Sequence, residues 1–211
     1  MQEYLLQTPV ASLILAITVI TTLMAFNNEN LMHKLILHPY SVYRKEGLYT
    51  VITSGLIHGD WMHLFFNMFS YICFAFPLEK VMGHWQFGLL YVASLILSDI
   101  PTIFKNKNNY NYQCLGASGA VSAVIFAMIL YTPGGGIQIF PIPFTIPNII
   151  FGPLYLVYCY YASKHARDHV NHDAHMYGAL SGLIIAIALY PPVVHDFIDG
   201  ANALIQSYLH R

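Results

Sequence analysis

The feature that most constrains this chain is a long stretch without charge. Between Lys107 and Lys164 there is no Asp, Glu, Lys or Arg. A transmembrane helix needs about 20 apolar residues, so the stretch is long enough for two spans, and a soluble core would not need such a length. The 211 residues are 56% hydrophobic and only 9% charged, whereas soluble domains carry roughly 25% charged residues. The sequence therefore predicts an integral membrane protein.

Hydropathy predicts six helices along the chain. They cover about 8–26, 61–79, 84–104, 113–132, 147–163 and 173–192. The first apolar run lacks a basic flank and a cleavage site, so it is predicted to be a retained span and not a signal peptide. Apolar residues at helical spacing after Pro192 predict an interfacial tail over about 193–211. The expected fold is an all-α, six-transmembrane-helix bundle, in a single membrane-embedded domain of residues 1–211 with its core at about 8–192.

The connections between these helices differ in character. The first, residues 27–60, is long and partly apolar, which predicts a structured element in the membrane interface. The fourth, residues 133–146, is rich in Gly and Pro, so the fourth helix must end there and the fifth begins afresh at about Pro147. The net charge of −1 leaves no broad basic surface, and we expect no nucleic-acid partner.

Three polar residues lie near the beginnings of the second, fourth and sixth predicted helices: Asn67, Ser118 and His175. In a chain that alternates across the membrane, these three helices all begin on the same side. A rise of 1.5 Å per residue places the three side chains at a shared depth of ~5–10 Å below one surface. We therefore expect these groups to meet.

Ser118 is a candidate nucleophile in the segment Gly116-Ala117-Ser118-Gly119. A serine hydroxyl is a weak nucleophile unless a base takes its proton, and His175 is the best candidate for that base. Small residues on both helices, above all Gly116 and Gly119 on the fourth and Gly178 and Gly182 on the sixth, predict close backbone packing. Such packing would bring the hydroxyl to the imidazole.

His63 and Asn67 are four residues apart, so they share one face of the second helix. Together with the backbone N–H of Ser118, their side chains are candidates to stabilise the oxyanion of a tetrahedral intermediate. A nucleophile, a base and an oxyanion hole are thus predicted from three helices.

With these motifs the chain resembles the rhomboid family of intramembrane serine proteases. The resemblance consists of Gly116-x-Ser118-Gly119, His63-x-x-x-Asn67 and Ala174-His175-x-x-Gly178-x-x-x-Gly182, in the family's order, and it covers the core from about residue 8 to 192. It implies a catalytic dyad of Ser118 and His175 that needs no carboxylate, no metal and no cofactor, with His63 and Asn67 at the oxyanion.

The resemblance also implies the substrates and the setting of the reaction. Substrates would be single-span membrane proteins with helix-destabilising or small residues near the scissile bond. The fifth helix and the segment after the fourth would gate lateral entry of the substrate helix. The absence of a soluble domain resembles a minimal bacterial-type enzyme, which implies the inner membrane, with the active site toward the extracytoplasmic side.

The sequence departs from the family pattern in two places. Many members have Trp-Arg in the first loop, where this chain has Tyr49-Thr50, and the nearest aromatic-arginine pair is Tyr43-Arg44. Some members have an aromatic residue four positions after the serine, where this chain has Ser122.

The distribution of basic residues conflicts with the orientation that the resemblance implies. Only Lys80 and Arg211 fall opposite the predicted active site. The other seven fall on the same side as that site: Lys34, Arg44, Lys45, Lys105, Lys107, Lys164 and Arg167. The positive-inside rule would therefore invert the protein, whereas we retain the family's orientation because the first loop is predicted to lie in the interface.

Two alternatives to a protease remain open at this point. The run His165-x-x-Asp168-His169-x-x-His172-Asp173-x-His175 has residue types that ligate zinc or another divalent ion, which would indicate a metal-binding protein or transporter. Most of that run falls in a loop, where a solvated polar cap is the ordinary explanation. The other alternative is an inactive relative that binds membrane helices, although such proteins usually lack the serine or the histidine.

Overall fold

The computed structural model describes residues 6–139, 143–166, 168 and 170–209, and most of that part is helical. The first connection contains three short helices, namely α2 (Glu29–Leu35), α3 (Pro39–Tyr43) and α4 (Thr50–Thr53), followed by a 3₁₀ turn at Ser54–Leu56. The longer helices are α1 (Pro9–Phe26), α5 (Trp61–Met82), α6 (His84–Asn106), α7 (Ser118–Tyr131), α8 (Asn148–His165), α9 (His172–Leu189) and α10 (Val193–Leu209).

Helices occupy all six segments for which hydropathy predicted one. In the described part of the chain, α1, α5 and α6 are long and apolar enough to cross a membrane, and α9 with α10 makes a fourth if the bent pair is one span. The 14 residues of α7 are apolar but shorter than these spans. A mostly helical integral membrane protein is therefore confirmed, whereas the number of six crossings stays a prediction.

The prediction for the fourth helix was wrong at its beginning. The helix was expected from residue 113, but α7 begins at Ser118, and residues 113–117 form a loop. Gly116 has a φ of 111°, a conformation that an α-helix cannot contain and that favours glycine. The nucleophile candidate therefore lies at the very start of its helix and not a turn inside it.

The sequence predicted an all-α fold, but the fold also contains two short β-strands. A short hairpin joins α7 to α8, with β1 (Gly136–Gln138) antiparallel to β2 (Thr145–Pro147). Ile137 of β1 lies opposite Ile146 of β2 and is buried.

The first connection is structured, as expected, and it braces the loop that precedes Ser118. The backbones of Leu37 and Cys114 exchange two hydrogen bonds of 3.0 Å. Two residues later, the N–H of Gly116 donates to the carbonyl of Ser54 at 2.9 Å. These bonds fix the entry of the chain into α7.

Helix α7 lies at the centre of the bundle. Ten of its 14 residues are buried, and it packs against α5, α6 and α9. Because it is apolar on every side, it has the composition of a helix that is surrounded by other helices. The large buried side chains of the core include Tyr71 of α5, Phe87 of α6 and Phe126 of α7 itself.

Helix α10 turns away from α9 by 111° after Tyr190. Its first residue, Val193, is buried against the core, while Ile198, Ile205 and Leu209 are exposed. The change of direction follows from Pro191 and Pro192, which cannot continue the hydrogen-bond ladder of α9. The interfacial position of this tail stays a prediction.

Candidate active site

Ser118 is the first residue of α7 and is half-buried. The first N–H groups of a helix have no partner inside the helix, and they form the positive end of its dipole. The preceding residue, Ala117, has no side chain that can cap them. The serine hydroxyl therefore lies beside backbone donors that are suited to an anion.

Glycines bring α9 against α7 at backbone distance. A methyl group added to Gly178 would overlap the carbonyl of Gly119, and one added to Gly182 would overlap the carbonyl of Ala123. His175 lies one turn before Gly178, in the first turns of α9. The packing therefore places the beginning of the helix that carries the imidazole beside the beginning of the helix that carries the hydroxyl.

Ser118 and His175 share no hydrogen bond within the described part of the chain. The ring of His175 instead lies edge to face with that of His172, with the centroids 6.0 Å apart and an interplanar angle of 83°. Catalytic hydrogen bonds are often long in unliganded enzymes and shorten when substrate binds. The proton-transfer contact of the dyad stays a prediction.

His63 lies against the loop that leads into Ser118. Its backbone N–H donates to Asp60, the N-cap of α5, at 2.8 Å. Its ring abuts Gly116, where a Cβ atom would lie 2.7 Å from Nε2 and from Cε1. Any larger residue at 116 would therefore displace this imidazole.

Asn67 is buried one turn further along α5. Its Nδ2 donates to the carbonyl of His63 at 3.0 Å, which fixes the amide against its own helix. Because a primary amide carries two N–H donors, one remains for another acceptor. The roles of His63 and Asn67 at an oxyanion stay predictions.

A small cavity of about 10 Å³ lies beside Ser118. Its lining residues include Ser54, Ser98, Asp99, Gly116, Ser118 and Asn171. Such a volume is close to the minimum for one water molecule. The hydroxyl thus borders a polar space inside an otherwise apolar bundle.

Two residues of this region were not assigned a role from the sequence. His58 is fully buried, and its ring lies edge to face with that of His63, with the centroids 4.9 Å apart. Asp99 of α6 lines the cavity beside Ser118. The sequence could have indicated Asp99, because a carboxylate in an apolar span is a candidate functional group. No local pattern in the sequence indicates that His58 is buried.

The hydrogen bonds of His58 determine which of its nitrogens carries the proton. The hydroxyl of Thr22 donates to the carbonyl of Leu56 at 3.1 Å, and the same oxygen lies 3.1 Å from Nδ1 of His58. Because that hydroxyl has only one proton, Nδ1 must be the donor to it. Burial and the neighbouring His63 ring lower the pKa of His58 to about 3, against a smaller opposing effect of Asp60.

The structure brings only some residues of the histidine-rich run, which suggested a metal site, close to one another. Nε2 of His172 lies 3.2 Å from both carboxylate oxygens of Asp168. Lys105 pairs with Asp173, while His169 lies outside the described residues. Among the residues that are described, no three His, Cys, Asp or Glu side chains come close enough to hold one ion.

The structure shows what occupies the two positions that depart from the family pattern. Tyr49 is exposed, whereas Arg44 stacks on Tyr40 and donates at 2.8 Å to the carbonyl of Lys107, so it ties the first connection to the loop after α6. Ser122 lies one turn after Ser118, and its hydroxyl is 3.0 Å from that of Tyr155 on α8.

Comparison with known proteins identifies the family of this chain. The family model described as "Rhomboid domain" matches residues 45–192, more than half of the chain. The chain is 27% identical over 142 residues to "Putative rhomboid protease YdcA" of Bacillus subtilis (strain 168), covering 64% of each protein. It is 32% identical over 112 residues to "Rhomboid-related protein 4" of Rattus norvegicus, covering 48% of this chain and 35% of the relative.

A third relative is "RHOMBOID-like protein 5" of Arabidopsis thaliana, which is 32% identical over 79 residues, or 37% of this chain and 25% of the relative. The matched region thus spans less than two thirds of each of these relatives. The family match includes every helix that contributes to the candidate site, α5, α6, α7 and α9. The chain belongs to the rhomboid family.

Proposed function

We propose that this protein is an intramembrane serine endopeptidase that cleaves transmembrane segments of membrane-protein substrates, with Ser118 as the nucleophile and His175 as the base. The observation that carries the proposal is the backbone contact of Gly178 with Gly119, which brings the first turns of α9 and α7 together. The family membership supports the same reaction.

In the proposed acylation step, His175 takes the proton of the Ser118 hydroxyl as the oxygen attacks the scissile carbonyl carbon. The carbonyl oxygen becomes an oxyanion. The free N–H groups at the start of α7 stabilise it, together with donors of His63 and Asn67. His175 then gives its proton to the leaving amine, so that an acyl-enzyme on Ser118 remains.

In the proposed deacylation step, a water molecule attacks the acyl-enzyme while His175 accepts its proton. Collapse of the second oxyanion releases the carboxylate product and returns the proton to Ser118 Oγ. Apart from the substrate and water, each step uses only side chains and backbone donors of this chain, so the proposal includes no metal and no cofactor.

The proposed substrates are transmembrane helices that reach Ser118 from the side. Helix α8 is the most loosely packed helix on that side, because only Asn148, Gly152 and Cys159 of its residues are buried. A peptide bond in a helix is shielded by its neighbours, so substrates with helix-destabilising residues near the bond are favoured. We place the enzyme as one domain, residues 1–211, in a bacterial inner membrane with the site toward the extracytoplasmic side.

Labelling with a serine-reactive fluorophosphonate tests the nucleophile directly. The purified protein in detergent micelles is expected to be labelled, and Ser118→Ala and His175→Ala are expected to abolish labelling and the cleavage of a model single-span substrate in proteoliposomes. Ser181→Ala is the matched control, because this buried serine of α9 donates within its own helix to the carbonyl of Gly178. Cleavage by Ser118→Ala would exclude this serine.

The same assays separate the two alternatives. A metal-dependent protein would lose its activity in a chelator, whereas a dyad protease is indifferent to it. A helix-binding relative without catalytic activity would retain the substrate but would neither react with the probe nor cleave.

A further inference from the structure

Three polar side chains of α6 lie on the face that meets the candidate site. Ser98, Thr102 and Lys105 are separated by four and three residues, so they share one side of the helix. Each of them contacts a residue that is next to, or near, one of the two members of the proposed dyad. The stripe therefore touches both halves of the site at once.

The first contact is with the helix that carries Ser118. Ser98 is buried, and its hydroxyl donates to the carbonyl of Leu95 in its own helix at 3.0 Å. A methyl group added to Gly119 would overlap the Ser98 side chain. Ser98 thus limits how closely the first turn of α7 can approach α6.

The second contact is with the residue that caps α9. Asn171 and Thr102 exchange two hydrogen bonds. The Thr102 hydroxyl donates to Asn171 Oδ1 at 3.2 Å and accepts from Asn171 Nδ2 at 3.0 Å. The same Oδ1 accepts the N–H of Ala174 at 3.1 Å, and the carbonyl of Asn171 accepts the N–H of His175 at 3.2 Å. The first turn of α9, including the backbone of His175, is therefore tied to Thr102.

The third contact is an ion pair at the end of α6. Lys105 Nζ lies 2.5 Å from Asp173 Oδ2, two residues before His175. It also donates to the carbonyl of Ser163 on α8 at 3.4 Å. Within the described residues, this ammonium group therefore contacts both α8 and α9 beyond its own helix.

We propose that this stripe of α6 positions His175 relative to Ser118, with Thr102 and Lys105 as the positioning residues. The inference rests on the proposed function, because it assigns the geometry of the dyad to a third helix. Neither residue touches substrate. Both act by fixing the first turn of α9 at its cap and at Asp173, while Ser98 sets the distance of α7 from the same helix.

Steady-state cleavage of a single-span substrate by Thr102→Val and Lys105→Met tests the proposal. Each is expected to lower kcat about tenfold with KM unchanged, because a small misplacement of a catalytic group slows the chemical step without changing substrate binding. Thr102→Ser, which keeps the hydroxyl, is expected to restore most of kcat. The double variant Lys105→Asp with Asp173→Lys, which exchanges the two charges of the ion pair, is expected to do the same. The melting temperature of Lys105→Met is expected to change little, since a partly exposed pair stabilises a fold weakly.

Lys107→Met is the matched control, because it removes a neighbouring positive charge that lies over the Tyr43 ring and not at α9. Unchanged kcat in both Thr102→Val and Lys105→Met would overturn the proposal, and so would a loss that Thr102→Ser and the charge exchange do not restore. If Thr102→Val does not fold, Lys105→Met and the charge-exchange double variant test the proposal by themselves. Wild-type protein that neither cleaves nor reacts with a fluorophosphonate would instead refute the proposed function, and this inference with it.

Discussion

Glu79, which is fully buried near the end of α5, accepts the backbone N–H of Ala11 on its Oε2 at 2.7 Å. Its Oε1 accepts the N–H of Val10 at 3.1 Å and lies 2.7 Å from Nδ1 of His84. The carboxylate thus satisfies two donors that the first turn of α1 cannot satisfy itself. A negative charge at that position also matches the positive end of the helix dipole.

We expect Glu79→Gln to destabilise the protein, because the amide replaces one buried acceptor by a donor that faces an N–H group. The free energy of unfolding should fall by about 3 kcal/mol. Thermal unfolding in detergent micelles measures it, with the exposed Glu46→Gln as the control. An unchanged melting temperature would show that the pairing of α1 with α5 does not depend on this carboxylate.

Gly178→Ala should separate the two helices of the candidate site. The added methyl group would overlap the carbonyl of Gly119, so α9 must shift away from α7. Overpacking of this kind costs about 1–3 kcal/mol, and we expect cleavage to be lost at temperatures where the variant is still folded. Gly134→Ala is the control, because nothing lies within 4 Å of the position of its methyl group. Equal activity of the two variants would contradict the proposed arrangement.

The sequence predicts the positions of the helices well, because each is a long apolar run that ends at polar, Gly or Pro residues. It does not predict where α7 begins, since the positive φ of Gly116 depends on the loop being held by Ser54. The hairpin of β1 and β2 was missed because three-residue strands have no periodic pattern to detect.

Local motifs and the alternation of the predicted helices select His63, Asn67, Ser118 and His175 as candidates. The contacts that surround them are not local. Thr22 meets His58 across 36 residues, and Thr102 meets Asn171 across 69. Hydrophobic patterning contains no information on such pairs, so the sequence does not predict which residues support the site.

Acidification should destabilise the protein through His58. Its pKa is lowered to about 3 in the folded protein, against about 6.5 in an unfolded chain. The unfolded state therefore binds more protons below pH 6.5, and stability falls as the pH decreases from there toward 3, by about 2 kcal/mol at pH 5. His58→Gln should flatten the dependence of the melting temperature on pH, whereas the exposed His33→Gln should leave it as in wild type. Parallel curves for wild type and His58→Gln would contradict this assignment.

Asn67→Ala should slow cleavage without eliminating it. Removal of one oxyanion donor typically costs about 10²-fold in kcat, and the N–H groups of α7 remain. Asn27→Ala is a matched control, because Asn27 Nδ2 also donates to the carbonyl four residues before it, at 2.8 Å, on the exposed side of α1. Steady-state kcat and KM for a single-span substrate measure the effect. A change in KM alone would assign Asn67 to substrate binding and not to the oxyanion.

The hydrogen bond between Ser122 and Tyr155 joins the middle of α8 to α7, one turn from Ser118. The ring of Tyr155 also packs on Phe126 and Phe151. In the lateral entry proposed above, a substrate helix that enters beside α8 breaks this bond, which contributes about 1 kcal/mol to the packing of α8 on α7. Tyr155→Phe and Ser122→Ala should therefore each raise the rate of substrate cleavage about fivefold.

Three comparisons distinguish an effect on entry from an effect on chemistry. The rate of labelling by a small fluorophosphonate should stay the same in both variants, because that probe does not need α8 to move. The double variant should be no faster than either single one, because both remove the same bond. Tyr161→Phe, on an exposed face of α8, should behave as wild type. Additive effects, or faster probe labelling, would show that Tyr155 acts on Ser118 itself and not on the path to it.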